Sequence, residues 1–216
     1  MQPTYDSIPR ELLEENLKAA ALAMPSGKWF AFFGTLLGLV RGGRLISGDD
    51  DIDIYVNVDD SQCVKEALEY AGFLLSMDCR PDFIQLIRVI DGKEIPLDIY
   101  FFKDDGDVII EKWNFSGPPL DPKNMLKIPK HMIYPLKEIP LANVLIAVPT
   151  DPEGICAFLY GQDWRVPRQK LTGYRMEIND GVPSLRNLTF RERLSGWNKV
   201  HIRARTRNWR GYFDGS

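Results

Sequence analysis

Phe33-Gly34-Thr35-Leu36-Leu37-Gly38-Leu39-Val40-Arg41 and, just after Ile46-Ser47-Gly48, Asp49-Asp50-Asp51-Ile52-Asp53-Ile54 form the most informative stretch of the chain. In its second half, Ile52, Ile54 and Val56 alternate with Asp51, Asp53 and Tyr55. A period of two predicts a strand with one acidic face. Asp51 and Asp53 then point to the same side, ~6.6 Å apart along the axis. Carboxylates so placed suit one hard cation, or a pair ~3.5–4 Å apart. Oxygen-only ligands select Mg²⁺, Mn²⁺ or Ca²⁺ over zinc or copper. Asp49 has the same two-residue spacing and is a further candidate ligand. A solvated acidic loop is the competing reading, but such a loop has no need of Ile52, Ile54 and Val56.

The first half of the stretch reads as strand, turn and helix. Trp29 to Phe33 is a short apolar aromatic run, expected to be a buried strand. Thr35 to Val40 predicts a short helix that ends at Arg41-Gly42-Gly43. Gly34-Thr35 lies at the turn between them, where glycine lets backbone N–H groups approach a ligand and a helix N-terminus favours anions. Arg41 and Arg44 are candidates to clamp phosphate oxygens or neutralise transition-state charge; their alternative is to pair with nearby aspartates. A third feature lies downstream. In Ile95-Pro96-Leu97-Asp98-Ile99-Tyr100 one aspartate interrupts a strongly apolar strand. Burying a lone carboxylate is costly without a partner or metal. If this strand neighbours that of Asp51 and Asp53, Asp98 completes a three-carboxylate site, where it is also a candidate to accept the proton of an attacking hydroxyl. A metal beside an anion hole fits a phosphate ester.

Outward from this centre, residues 9–24 predict a helix with Pro9 at its start, and Ser61 to Tyr70 another, capped by Asp59 or Asp60 and ended by Gly72. Phe73–Met77, Phe83–Ile90 and Ile95–Phe102 read as strands, the last two joined by the hairpin signal Asp91-Gly92. Val108–Trp113 suggests another. Prolines are frequent from Ser116 to Pro152, which predicts an irregular connection holding one short strand near Val144–Val148. Glu153–Tyr160 reads as a helix closed by Gly161.

Composition narrows the function classes. The 216 residues are 44% hydrophobic and 26% charged, which excludes a wholly disordered chain. No apolar run approaches the ~18 residues of a membrane-spanning helix, and the N-terminal residues lack the pattern of a signal peptide. Three scattered cysteines and two histidines argue against a disulfide framework, a structural zinc site or a His-dependent hydrolase, and point to a reducing compartment. The net charge of −3 is unevenly shared: residues 186–216 hold eight Lys/Arg against Glu192 and Asp214, net +6, which leaves −9 on the rest. In that basic end Arg203, Arg205 and Arg207 interleave with Trp209, Tyr212 and Phe213. Either it docks on the acidic body or it binds an anionic surface; docking is the expected role, since an acidic body repels polyanions such as nucleic acid.

The glycine turn, short helix, Asp-x-Asp strand and later strand aspartate together resemble the nucleotidyltransferase fold of the polymerase-beta type. The segment 33–41 followed by Ile46-Ser47-Gly48-Asp49-Asp50-Asp51-Ile52-Asp53 resembles the LicD/fukutin family more narrowly. Tyr134-Pro135-Leu136-Lys137, Val148-Pro149-Thr150-Asp151-Pro152, and Leu159-Tyr160-Gly161 with Asp163-Trp164 and Pro167 are similar to its later blocks, so the likeness spans roughly residues 10–170. Ser47-Gly48 departs from it: the family usually has Pro-Trp there, and the indole would wall the site.

The resemblance implies an α+β fold, a mixed sheet flanked by helices, with a catalytic domain over 1–170 and a basic, aromatic, irregular extension over 171–216 packed on or near it. It implies transfer of a phosphorylated alcohol, phosphocholine or a polyol phosphate, from a CDP-activated donor to a sugar hydroxyl of a cell-surface glycan or its lipid-linked precursor. Mg²⁺ or Mn²⁺ on Asp51, Asp53 and Asp98 would bridge the diphosphate, Gly34 and Thr35 would hold phosphate oxygens, and Arg41 would stabilise the leaving nucleotide. The expected location is the cytoplasm, with peripheral contact at the inner face of the membrane through 186–216. A nucleotidyltransferase attaching NMP from an NTP to a small molecule or protein would use the same carboxylates. A non-enzymatic module that binds anionic surfaces is the third reading.

Overall fold

The computed structural model describes residues 8–111, 125–167, 174–187 and 189, with the side chains of 174 and 175 outside the description. Helix α1 (Arg10–Ala23) presents Leu13, Leu17 and Ala20 as one buried stripe at helical spacing. Strand β1 (Trp29–Ala31) follows, then α2 (Phe33–Gly42), which stops where Gly43 takes the left-handed conformation. Strand β2 (Asp53–Asn57) leads through a single 3-10 turn at Val58–Asp60 into α3 (Ser61–Tyr70). Strands β3 (Leu74–Cys79), β4 (Phe83–Ile90), β5 (Lys93–Asp105) and β6 (Val108–Glu111) complete the first half. The β4–β5 hairpin turns on Asp91 at φ 50° and Gly92 at φ 73°, both left-handed, as a tight Asp-Gly turn requires.

These strands form one sheet in the order β1-β2-β5-β4-β3, and β6 and then β7 (Leu126–Pro129) continue from the far end of β5. The sheet is mixed. β2 and β5 run parallel, with Asp53 opposite Asp98 and Tyr55 opposite Tyr100, while β1, β4 and β6 are antiparallel to their neighbours. β5 is the hinge of this arrangement: six consecutive residues, Leu97–Phe102, are buried, as expected of a strand covered on both faces. The fold is α+β, as the sequence predicts.

Several local expectations need correction. Phe33 opens α2 instead of ending β1, and it does so at φ 40°, a conformation a bulky residue rarely holds. Asp51 and Ile52 lie just before β2, and β2 is buried on both faces, so its acidic residues do not form an exposed stripe. The described part of the proline-rich connection, residues 125–152, is far more regular than its composition suggests. Beyond β7 come α4 (Lys130–Ile133) and a hairpin of β8 (Lys137–Leu141) and β9 (Val144–Val148), turning at Ala142 with φ 53°. Pro129 ends a strand, and Pro140 lies in a two-stranded ribbon, places where a missing N–H is tolerated. Helix α5 (Pro152–Tyr160) has Asp151 as N-cap, its side chain accepting from the Gly154 N–H at 3.0 Å.

In the 171–216 extension, residues 174–187 form a hairpin, β10 (Tyr174–Asn179) and β11 (Val182–Asn187), turning on Asp180 and Gly181. Gly181 carbonyl accepts from the Lys127 N–H at 3.0 Å, and β11 packs against α5 and β7. Arg186, the first cation of the basic end, pairs with Glu177 at 2.7 Å. Weak periodicity suggests a helix around Arg191–Val200; that segment and residues 112–113 of the expected 108–113 strand lie outside the described residues. Among the described residues no helix is long and apolar enough to cross a membrane.

Candidate functional site

The parallel pairing of β2 with β5 and the antiparallel pairing of β5 with β4 set two rungs across one face of the sheet. One rung is Asp53, Asp98 and Gln85. The next, two residues along each strand, is Tyr55, Tyr100 and Phe83, to which β1 adds Phe30 opposite Tyr55. Residues two apart on a strand share a face, so a row of carboxylates stands beside a row of aromatics. The aromatic row is closely packed: Tyr55 stacks on Phe32 with centroids 4.0 Å apart, and Tyr100 meets Phe33 and Phe83 edge-on at 5.2 Å each. Tyr55 is wholly buried and donates to Glu111 at 3.4 Å.

Asp53 and Asp98 are 5% and 3% exposed, so both carboxylates sit in a medium that penalises charge. Asp51, half-buried in the approach to β2, brings a third oxygen, and ligand atoms of Asp51, Asp53 and Asp98 lie within 4.8 Å of one another. Asp49, Asp50 and Asp51 make a second such trio, with Asp51 common to both. Burial first, and then the charges of Asp53 and Asp98, push the Asp51 carboxyl up to about 9. Burial and the same three carboxylates also push the Tyr100 phenol well above its ordinary value. Crowded, buried, oxygen-only and mutually repelling, this donor set fits a hard divalent cation, which would remove the repulsion that otherwise forces a proton onto one member.

Helix α2 explains how these carboxylates are held. The Gly34 N–H donates to Asp53 Oδ2 at 3.1 Å, and the Asp53 N–H donates to Thr35 Oγ1 at 2.9 Å. The first turn of α2 is thereby tied to the first residue of β2. A Cβ on Gly34 would come within 2.8 Å of Asp49 Oδ2 and 3.3 Å of Asp53 Oδ2, so glycine is what lets the two carboxylates close over the helix start. Gly38, one turn later, leaves room for the backbone of the next loop: a Cβ there would stand 2.7 Å from Arg44 carbonyl oxygen. The two glycines of the Gly34–Gly38 segment thus serve different neighbours, the acidic cluster and the chain that leads to it.

Asp51, Asp53 and Asp98 are brought together, with Asp49 adjoining through Asp51. Gly34 and Thr35 contact Asp53 directly. Arg44 is placed elsewhere, its guanidinium donating to both carboxylate oxygens of Glu14 at 3.2 Å and lying 3.7 Å from Glu11, both on α1. Arg41, in the last turn of α2, has no ion pair among the described residues, and its charge reaches Cys156 of α5. Ser47 and Gly48 are exposed, and Gly48 stands at φ 86° with nothing near its Cα. A tryptophan would be strained there, so the loop follows a course suited to glycine. One residue escapes sequence reasoning altogether. Gln85 Nε2 donates to Asp98 Oδ1 at 2.8 Å. Its strand spacing marks it as half-buried, but only cross-strand register puts it beside an aspartate.

A family model described as LicD/FKTN/FKRP, nucleotidyltransferase domain, matches residues 28–151, which include all five carboxylates of the two trios. No curated protein matches the chain. Among solved structures, a lincosamide antibiotic adenylyltransferase bound to lincomycin is 18% identical, with 56% of this chain and 69% of that one covered at a TM-score of 0.39. A Thermotoga maritima protein assigned as a nucleotidyltransferase is 17% identical over 68% of this chain and 82% of its own, at a TM-score of 0.35.

Proposed function

Since the chain belongs to the LicD/FKTN/FKRP nucleotidyltransferase-domain family, we propose that it is a metal-dependent phosphotransferase that moves a phosphorylated alcohol from a CDP-activated donor to a sugar hydroxyl of a cell-surface glycan or its precursor. The observation that carries this reading is the trio of half-buried Asp51 with buried Asp53 and Asp98, its ligand atoms within 4.8 Å of one another. Asp51, Asp53 and Asp98 would hold Mg²⁺ or Mn²⁺, and Asp49 is the residue placed to add a ligand. The bound cation supplies charge neutralisation on the diphosphate and polarises the phosphoryl group.

The chain's own residues do the rest. Asp98 takes the proton of the acceptor hydroxyl as its oxygen bonds to the phosphorus carrying the alcohol. The bond from that phosphorus to the bridging oxygen breaks, and CMP departs with the electron pair. Gly34 and Thr35 fix Asp53, and through it the geometry of the trio, in addition to offering the start of α2 to phosphate oxygens. Arg41 is the cation assigned to the leaving nucleotide. Arg44, paired with Glu14, is left the role of anchoring the loop to α1. Such chemistry depends on positioning and on charge stabilisation in a dry site, and the aromatic rung supplies the dryness.

The same carboxylates would serve a nucleotidyltransferase that attaches NMP from an NTP to a small molecule or protein, a reading supported by the chain's match to a nucleotidyltransferase domain. Assays with CDP-choline, CDP-ribitol and CDP-glycerol against the four NTPs, each with Mg²⁺ or Mn²⁺, separate the two. Stabilisation by a CDP-alcohol and not by an NTP supports the first. Full transfer by Asp53→Ala would refute both site assignments. For the acceptor we propose a saccharide, lipid-linked or free, met in the cytoplasm. Residues 186–216 are assigned to docking on the acidic body, with peripheral membrane contact as the outcome to be tested against it. Nucleic acid is an unsuitable partner for so acidic a body.

A further inference from the structure

The rung of carboxylates does not end at Asp98. Across β4 it continues with Gln85, directly opposite Asp98 in the antiparallel register, and across β3 with Met77. Gln85 Nε2 stands 2.8 Å from Asp98 Oδ1, a bond between a neutral amide and a buried carboxylate. Its geometry mirrors the bond on the other member of the pair, where the Gly34 N–H holds Asp53 Oδ2 at 3.1 Å. Each of the two deeply buried aspartates therefore receives one uncharged N–H from a neighbouring element.

The edge strand is adjusted to match. β3 and β4 are in register at Leu75 with Leu86, then shift so that Met77, not Ser76, faces Gln85. A bulge of this kind re-aims side chains next to functional sites. Here it places a thioether beside the amide where an unshifted ladder would place a hydroxyl able to compete for it. The choice of glutamine also has an electrostatic sense. A lysine or arginine at position 85 would satisfy Asp98 and cancel the charge that attracts a cation. An amide orients the carboxylate and leaves its charge intact.

We propose that Gln85 is a positioning residue for Asp98, holding the carboxylate in the orientation in which it joins Asp51 and Asp53 on a divalent cation. The inference rests on the metal-dependent reading above and adds to it a residue that no motif marks. Outer partners of metal ligands typically change affinity 10–100-fold when removed.

The test is Mn²⁺ binding to the full chain, measured by electron paramagnetic resonance and calorimetry without any substrate. Gln85→Met keeps the length and most of the volume but has no donor. Its expected Mn²⁺ affinity is at least 10-fold below that of the parent, with the thermal midpoint little changed. Gln85→Lys restores a donor and adds a charge, and its expected affinity is lower still. Ile87→Ala, on the same face of β4, is the packing control. It should lower the midpoint and keep Mn²⁺ affinity within twofold. Parental affinity in Gln85→Met, or an equal loss in Ile87→Ala, overturns the proposal. If Gln85→Met does not fold, Gln85→Asn, whose amide is one methylene too short, takes its place with the same two outcomes. A parent chain that binds no Mn²⁺, or an Asp53→Asn variant that binds it as well as the parent, instead defeats the cation reading itself.

Discussion

Gly34→Ala separates the site from the scaffold. The backbone at Gly34 is not left-handed, so alanine is conformationally acceptable, and in a helix it is favoured over glycine by about 0.5–1 kcal/mol. What opposes the methyl group is the pair of carboxylates, with Asp49 Oδ2 2.8 Å and Asp53 Oδ2 3.3 Å from where it would sit. Asp49 is half-buried at the end of a short side chain and must swing away. Asp53 is buried and has to move by a few tenths of an ångström, which stretches its 3.1 Å bond from the Gly34 N–H. Losing that charge-assisted bond outright would cost about 1.5–3 kcal/mol. Partial loss, set against the helix gain, leaves a net destabilisation of about 1 kcal/mol. For a chain of this size that is about 2–4 °C in thermal midpoint. The functional effect is much larger, because displaced ligands change metal affinity by about 10–100-fold. Calorimetry with Mn²⁺, a transfer assay and a thermal melt, all on Gly34→Ala, give the three numbers. Parental Mn²⁺ affinity together with parental turnover would refute the claim that this glycine exists to admit the two carboxylates.

Gly38→Ala should show the opposite profile. Its methyl group would meet backbone atoms at 2.7–3.1 Å, so overpacking of about 1–3 kcal/mol lowers the midpoint by several degrees, while Mn²⁺ affinity of the folded fraction stays near that of the parent; an unchanged melt refutes it. With EDTA present, stability should fall as pH rises from about 4 towards about 9, because the Asp51 carboxyl is protonated in the fold up to about 9 but ionised in the unfolded chain above about 4. Mn²⁺ should oppose this fall, and a midpoint that climbs with pH in EDTA contradicts the assignment. Arg44→Ala should leave the thermal midpoint nearly unchanged and transfer rates within a few-fold, since its exposed pairing with Glu14 is a surface ion pair; a large loss of turnover would return Arg44 to the phosphate clamp. Truncation after Asn187 should abolish activity or folding if the basic end docks on the body, whereas loss of vesicle binding alone would make it a membrane contact.

Much of the site was legible because its residues break local rules. Asp98 is conspicuous as one charge in an apolar strand, and Asp51 and Asp53 as charges among alternating isoleucines. The same logic shows why Gln85 was invisible: a glutamine on a half-buried strand breaks no rule, and its meaning comes from a partner on another strand. The hairpin at Asp180-Gly181 carries the same turn signal as Asp91-Gly92, but its flanks are short and only loosely alternating, with Pro183 in the second strand. The turn at Ala142 has no local signal, because neither glycine nor asparagine marks its left-handed residue. The start of α2 at Phe33 was hidden for a different reason. An aromatic run reads as a strand, and only packing of the Phe33 ring against Phe32, Tyr55 and Tyr100 makes a strained helix start tolerable.

The parallel pairing of β2 with β5 has a kinetic consequence. Asp53 and Asp98 are joined through a crossover that contains α3 and the β3–β4 hairpin. Closing such a long loop is slow, and a parallel pair forms late compared with local hairpins. The half-built chain therefore has no three-carboxylate cage, and a cation has little to bind until the rate-limiting contacts are made. Mg²⁺ or Mn²⁺ should then leave the folding rate nearly unchanged and slow unfolding, so that the ion acts as a latch on a finished sheet and not as a template for it.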